Sequence, residues 1–60
     1  MVGIPDKRYF RPDEVAAIIE EPIRSVYRWI KAGLIRHVRH GRKTRIAKEE
    51  IERILREGVR

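Results

Sequence analysis

Apolar residues recur at helical spacing in three stretches of this chain and flank a glycine in a fourth. Val15, Ile18 and Ile19 stand at i, i+3 and i+4 and predict a short amphipathic helix from Pro12 to near Glu20. Pro12 suits the first helical position, and Asp13 and Glu14 fall in the first turn, where the helix dipole favours anions. With Arg11 as N-cap, Phe10 and Val15 take the N′ and N4 places of a hydrophobic staple. Arg11 is a poor cap, because it has no short oxygen acceptor. Pro22 restarts the chain, since the residue before a proline is pushed out of the helical region. A second helix is expected from about Pro22 to Ala32, stopping at Gly33, a natural C′ residue. Ile23, Val26 and Ile30, joined by Trp29, form its apolar face. Arg24, Ser25, Arg28 and Lys31 lie on the other side, and Tyr27 sits at the border.

Gly41 suits the positive φ of a hairpin loop, with Val38, Thr44 and Ile46 as β-branched residues around it. Strands are expected near 36–40 and 43–46, with Val38 and Ile46 inward and the arginines outward. A third helix, Lys48 to Glu57, takes Ile51, Ile54 and Leu55 as its core stripe and ends at Gly58. Glu49/Arg53 and Glu52/Arg56 are its expected i, i+4 ion pairs. Residues 1–8 lack periodicity, contain Gly3 and Pro5, and read as a flexible leader to one domain over 9–58. The order is helix, turn, helix, hairpin, helix. That is a mainly α winged helix-turn-helix.

Charge changes the picture most. From Pro22 to Lys48 there are nine Lys/Arg and no Asp or Glu, whereas the rest of the chain holds six basic and nine acidic residues. The formal +6 is thus +9 in the middle and −3 at the ends. A field segregated in this way focuses on a polyanion, and phosphate backbones are the usual partner. Solubility alone gains nothing from separating the signs.

Other features mainly exclude. Sixty residues make one small domain, which buries roughly 60% of the unfolded chain's surface and leaves no room for a core and a deep catalytic cleft together. The chain has no Cys, so disulfide, thiolate and Cys-zinc chemistry are absent. No apolar run approaches the roughly 20 residues of a membrane span. His37 and His40 have ligand-like spacing, but two histidines are an incomplete zinc site. No phosphate loop, nucleophile elbow or zincin motif occurs, and Glu20/Glu21 and Glu49/Glu50, as helix neighbours, diverge rather than pair. Neither an enzyme nor a metal or cofactor is expected.

The run from Phe10 to Leu55 resembles the small excisionase-type DNA-binding domains, relatives of the MerR-type winged helix-turn-helix. Four segments carry the likeness: Pro12–Ala16, Ser25–Leu34, Val38–Arg42 and Arg45–Ile51. The resemblance implies duplex DNA binding, with the second helix in a major groove and the hairpin wing on backbone or minor groove. In the turn before the second helix this chain has Glu20-Glu21-Pro22 where the family usually has Gly and Ser or Thr.

The expected DNA contacts divide between these two elements. Arg24 and Arg28 are placed for a base or a phosphate, and arginine is suited to grip guanine O6/N7. Ser25 reaches a base edge or a phosphate or helps cap the helix, Tyr27 bonds a phosphate oxygen, and Lys31 is a further DNA contact. Arg39, Arg42, Lys43 and Arg45 supply the wing, with Arg42 or Lys43 placed for a minor groove. The expected function is sequence-specific duplex binding in transcription regulation or excisionase-like recombination, in the cytoplasm with the nucleoid. One domain reads few base pairs, so useful specificity is expected to need several copies, through self-association or cooperative binding on DNA, or another domain. No membrane partner and no small-molecule effector site are expected. RNA or ribosome binding, and an adaptor or antitoxin-type protein interaction, are the alternative classes.

Overall fold

The computed structural model describes residues 6–59. The elements run β1 (Tyr9–Phe10), α1 (Pro12–Ile19), α2 (Ile23–Lys31), β2 (Val38–His40), β3 (Lys43–Ala47) and α3 (Lys48–Glu57). The three helices and the glycine-tipped hairpin lie where the periodicity puts them, and the architecture is a winged helix-turn-helix. Residues 1–5 of the expected leader lie outside the described residues. Within the rest of it, Lys48 N–H donates to Arg8 O at 2.9 Å, and Lys7 pairs with Glu14.

The hairpin gains a strand that periodicity did not show. Tyr9–Phe10 pairs antiparallel with the far end of β3, giving a three-stranded sheet of order β1-β3-β2. Two residues are too few to display alternation, so only the pairing reveals β1.

Register then decides what faces inward. Residues directly opposite across a ladder share a face, and neighbours along a strand alternate. Phe10 opposite Ile46 sets the core face, which also receives Thr44 and its partner Arg39. The other face receives Tyr9, Ala47, Arg45, Val38, Lys43 and His40. Val38 is therefore outward and 40% exposed, sharing its face with Arg45, against the expectation that it points inward with Ile46. The shift of a strand by one residue exchanges its faces, and β2 runs out over solvent where either face is exposed.

The core is Phe10, Val15, Ala16, Val26, Ile35, Ile46, Ile51 and Ile54, with Ile18, Ile19, Trp29 and Ile30 packed against it half-buried. Phe10 and Val15 are both buried, as the staple spacing requires. Arg11 is the N-cap of α1 without a side-chain acceptor, and the return half of the cap forms instead: Arg11 N–H donates to Glu14 Oε1 at 2.8 Å. Ile23 and Leu55 correct the expected stripes, being 43% and 54% exposed. Ile23 is the first residue of α2, at the edge of the domain, and α3 buries Glu50 on the side where it meets the connector after α2. The expected Glu49/Arg53 and Glu52/Arg56 pairs are replaced by Glu50–Arg53 and Arg56–Glu57.

Glu50 is the buried charged side chain of the core, and both its oxygens accept hydrogen bonds. Oε2 accepts from Arg36 N–H at 2.9 Å and from Arg53 Nη2 at 2.6 Å, and Oε1 accepts from Arg53 Nε at 3.0 Å. A buried carboxylate without such partners would be costly; with them it is satisfied. The Arg53 guanidinium, aided by the Arg36 N–H, holds the Glu50 carboxyl below its usual range against the opposing effect of burial. Glu14 is lowered in the same direction by the Arg11 N–H and Lys7.

Ile46→Ala should cost about 2–5 kcal/mol in urea denaturation, while Val38→Ala should stay within about 0.5 kcal/mol of the parent. Comparable losses at both sites would mean that Val38 is an inward residue. Glu50 has a lower pKa folded than unfolded, so its contribution is complete above the ordinary glutamate value of about 4.3 and is lost as pH falls through the folded value. Thermal melts should therefore hold level down to about pH 5 and decline below it. Glu50→Gln should lower the plateau and make the acid decline shallower; an unchanged decline would assign it to other carboxylates.

Candidate nucleic-acid interface

The turn that presents α2 is built on an unusual residue. Glu20 adopts the left-handed conformation at φ 59°, ψ 46°, and both its N–H and that of Glu21 donate to Ala16 O. The Glu21 bond, at 3.0 Å, is the six-to-one closure of a Schellman-type end. Glycine is the usual occupant of such a position, because a Cβ there meets the following carbonyl. Glu20 also places a negative charge at the negative end of the α1 dipole. The departure noticed in the sequence thus falls on the residue where a glycine would relieve strain.

Beyond this turn, α2 packs on α1 and buries Val26. Burying that side sets Arg24, Tyr27, Arg28 and Lys31 at i, i+3, i+4 and i+7 on an exposed stripe, with Ser25 half-buried beside them. Tyr27, expected at the border, is 53% exposed and lies wholly on this stripe. Arg28 and Lys31 also sit in the last turn, where the dipole favours cations.

The wing carries the other four candidates on different sides. Arg42 follows Gly41 at the tip, where φ of 65° suits glycine. Lys43 and Arg45 lie on the outer face, and Arg45 Nη1 donates to Thr44 O at 2.8 Å. Arg39 faces the opposite way, on the side shared with Thr44. Between α2 and the wing tip lies an open cleft of about 260 Å³, bringing Tyr27 together with Arg42, Lys43 and Arg45 at the start of α1. Arg11 and Asp13 line the same cleft. Sequence reading treats Arg11 only as a weak cap; the signal for a second role is a cation at the N-cap of the helix before α2, legible only once the wing folds over it. Arg24, Arg28, Lys31 and Arg39 do not line that cleft.

A second hollow, of about 320 Å³, opens on the outer sheet face between Tyr9, His40, Lys43 and Arg45. The Tyr9 and His40 rings lie 6.2 Å apart, tilted by 59°. His37 instead turns Nδ1 to Ile35 O at 3.2 Å, so the two histidines engage different partners.

Charge pairing separates the two ends from the middle. Among the described residues the ion pairs engage Lys7, Arg11, Lys48, Arg53 and Arg56. Arg24, Arg28, Lys31, Arg36, Arg39, Arg42, Lys43 and Arg45 form none with the described carboxylates. Four cations of the acidic ends, Lys7, Arg11, Arg53 and Arg56, thus have carboxylate partners, while eight of the nine in the central window form no ion pair among the described residues. No helix among the described residues is long and apolar enough to cross a membrane.

Glu20→Gly should raise stability by about 1 kcal/mol, by removing the left-handed strain of an L-residue. Thermal melts check this. An unchanged or lower midpoint would mean that Glu20 does not hold the left-handed conformation.

No curated protein and no solved structure matches the chain. A family model described as a helix-turn-helix domain matches residues 9–59, spanning β1 through the residue after Gly58. An exposed basic stripe on the second helix of the pair, a basic wing beside it and that match converge: the chain belongs to the excisionase-like family of helix-turn-helix domains, which bind DNA.

Proposed function

We propose that this protein binds duplex DNA sequence-specifically and acts in transcription regulation or as an excisionase-like factor in recombination, with residues 9–58 as its DNA-binding unit. The observation that carries the reading is the set of eight central cations that form no ion pair among the described residues, spread over α2, the connector after it and the wing. A duplex is a polyanion of matching breadth, and releasing its counterions supplies much of the affinity. In this reading α2 enters a major groove. Arg24 and Arg28 grip base edges, Ser25 meets a base or a phosphate, and Tyr27 and Lys31 hold the flanking backbone. The cleft between Tyr27 and the wing tip straddles a phosphate strand, and Arg39, Arg42, Lys43 and Arg45 hold the backbone or enter the minor groove. Several copies on adjacent sites give the discrimination that one domain lacks. The protein then resides in the cytoplasm with the nucleoid.

One series of titrations tests this on preferred and scrambled duplex at several salt concentrations. If four to six cations meet phosphates, log K against log salt should slope about −4 to −5; a slope shallower than about −2 removes the electrostatic footprint. Arg28→Ala should weaken the preferred duplex more than the scrambled one, by about 1–3 kcal/mol. Replacing Arg42 and Lys43 together with Ala should weaken both alike and flatten the slope by up to about 2. If discrimination is lost with the wing variant and kept with Arg28→Ala, the wing is the reading element and α2 is not.

A further inference from the structure

The segment between α2 and the wing is held by a clasp that touches neither the DNA-facing stripe nor the wing tip. Leu34 N–H donates to Trp29 O at 2.9 Å, tying the connector to the end of α2. The carbonyl of the same residue accepts from Arg53 Nη2 on α3 at 3.3 Å. Two residues on, Arg36 N–H donates to the Glu50 carboxylate, which is itself gripped by the Arg53 fork. Between them the Ile35 side chain is 1% exposed, plugged into the core. The second root of the wing needs no clasp, because β3 runs directly into α3 at Ala47–Lys48. The wing is therefore fastened to α3 at both roots, covalently at one and through Glu50–Arg53 at the other.

We infer that Glu50 and Arg53 are positioning residues for DNA binding: by locking residues 34–36 between α2 and α3, they set the spacing at which recognition helix and wing engage one duplex. The inference rests on the proposed reading, in which both elements bind at once. Two contact elements on a rigid spacer act as one preorganised surface, whereas on a loose spacer the second must be ordered at each binding event. Arg53 suits this task because its planar fork reaches the carboxylate and the Leu34 carbonyl together; a lysine ammonium cannot hold that geometry.

The test is a double-mutant cycle on the full chain with short duplex DNA, at a temperature where circular dichroism shows every variant folded. The variants are Arg53→Met, the wing-tip pair Arg42→Ala with Lys43→Ala, and all three changes together. Arg53→Met should raise Kd about fivefold in the parent, through lost preorganisation, and should cause a clearly smaller rise once the wing tip is removed, because Arg39 and Arg45 remain on the wing. The thermal midpoint should fall equally in both backgrounds, so stability and positioning are read separately. Amide exchange at Arg36 without DNA should also quicken in Arg53→Met relative to the β3 amides. If Arg53→Met does not fold at the assay temperature, Arg53→Lys carries the same cycle. An unchanged Kd, or an equal rise in both backgrounds, overturns the positioning role while leaving DNA binding intact. Absence of duplex binding by the unaltered protein overturns the functional reading and this role with it.

Discussion

The pairing of Phe10 with Ile46 is the constraint on which the rest of the molecule depends. Phe10 immediately precedes the cap of α1, and Ile46 stands two residues before α3 begins. Their contact closes the chain, joining the first element to the strand that leads into the last. Both side chains are almost wholly buried, and their register sets the inward face for the entire sheet. A chain this short buries a limited share of its surface, so each large core residue carries an unusual fraction of the stability. A slip of one residue at this pairing would expose Ile46 and bring Arg45 inward, which no packing could offset.

Electrostatics is arranged around that core in two zones. Acidic residues cluster near the chain ends, and there the cations find carboxylates: Lys7 with Glu14, Arg53 with Glu50, Arg56 with Glu57. The exposed pairs add little stability; their effect is to leave the net field in the middle. Unpaired like charges on α2 and the wing repel one another, a cost that the folded protein bears alone and a polyanion removes. Glu20 belongs to the same pattern of local cost at the interface, since it holds a strained turn next to the helix that the proposed function places on DNA.

Function and stability meet in the connector after α2. Its backbone joins α2 to α3, its Ile35 fills the core, and its Arg36 N–H meets the one buried carboxylate among the described residues. A buried ion pair is seldom a large net stabiliser compared with apolar packing. Its value here lies in geometry: Arg53 holds the Leu34 carbonyl and Glu50 holds the Arg36 N–H, so the pair fastens two backbone points at the root of the wing.

How much of this was legible in the sequence follows from the range of each interaction. The 3.6-residue periods of Val15/Ile18/Ile19 and Ile51/Ile54 are local, and so are the prolines and glycines that start and stop the helices; the three helices and the hairpin were readable from them. The segregation of charge is a property of residue order alone, and it pointed to a polyanion without any coordinates. The resemblance carried over Pro12–Ala16 and Ser25–Leu34 led to the same family. Three things were decided only by tertiary structure. The strand Tyr9–Phe10 exists because a distant β3 offers it a ladder. Val38, Ile23 and Leu55 are exposed because a period names a face, while burial requires a neighbouring element to cover it, and a domain this small lacks one at its edges. Glu50 found Arg36 across 14 residues and Arg53 one turn on, rather than leaving Arg53 to Glu49, because a carboxylate entering the core takes the partners that enter with it.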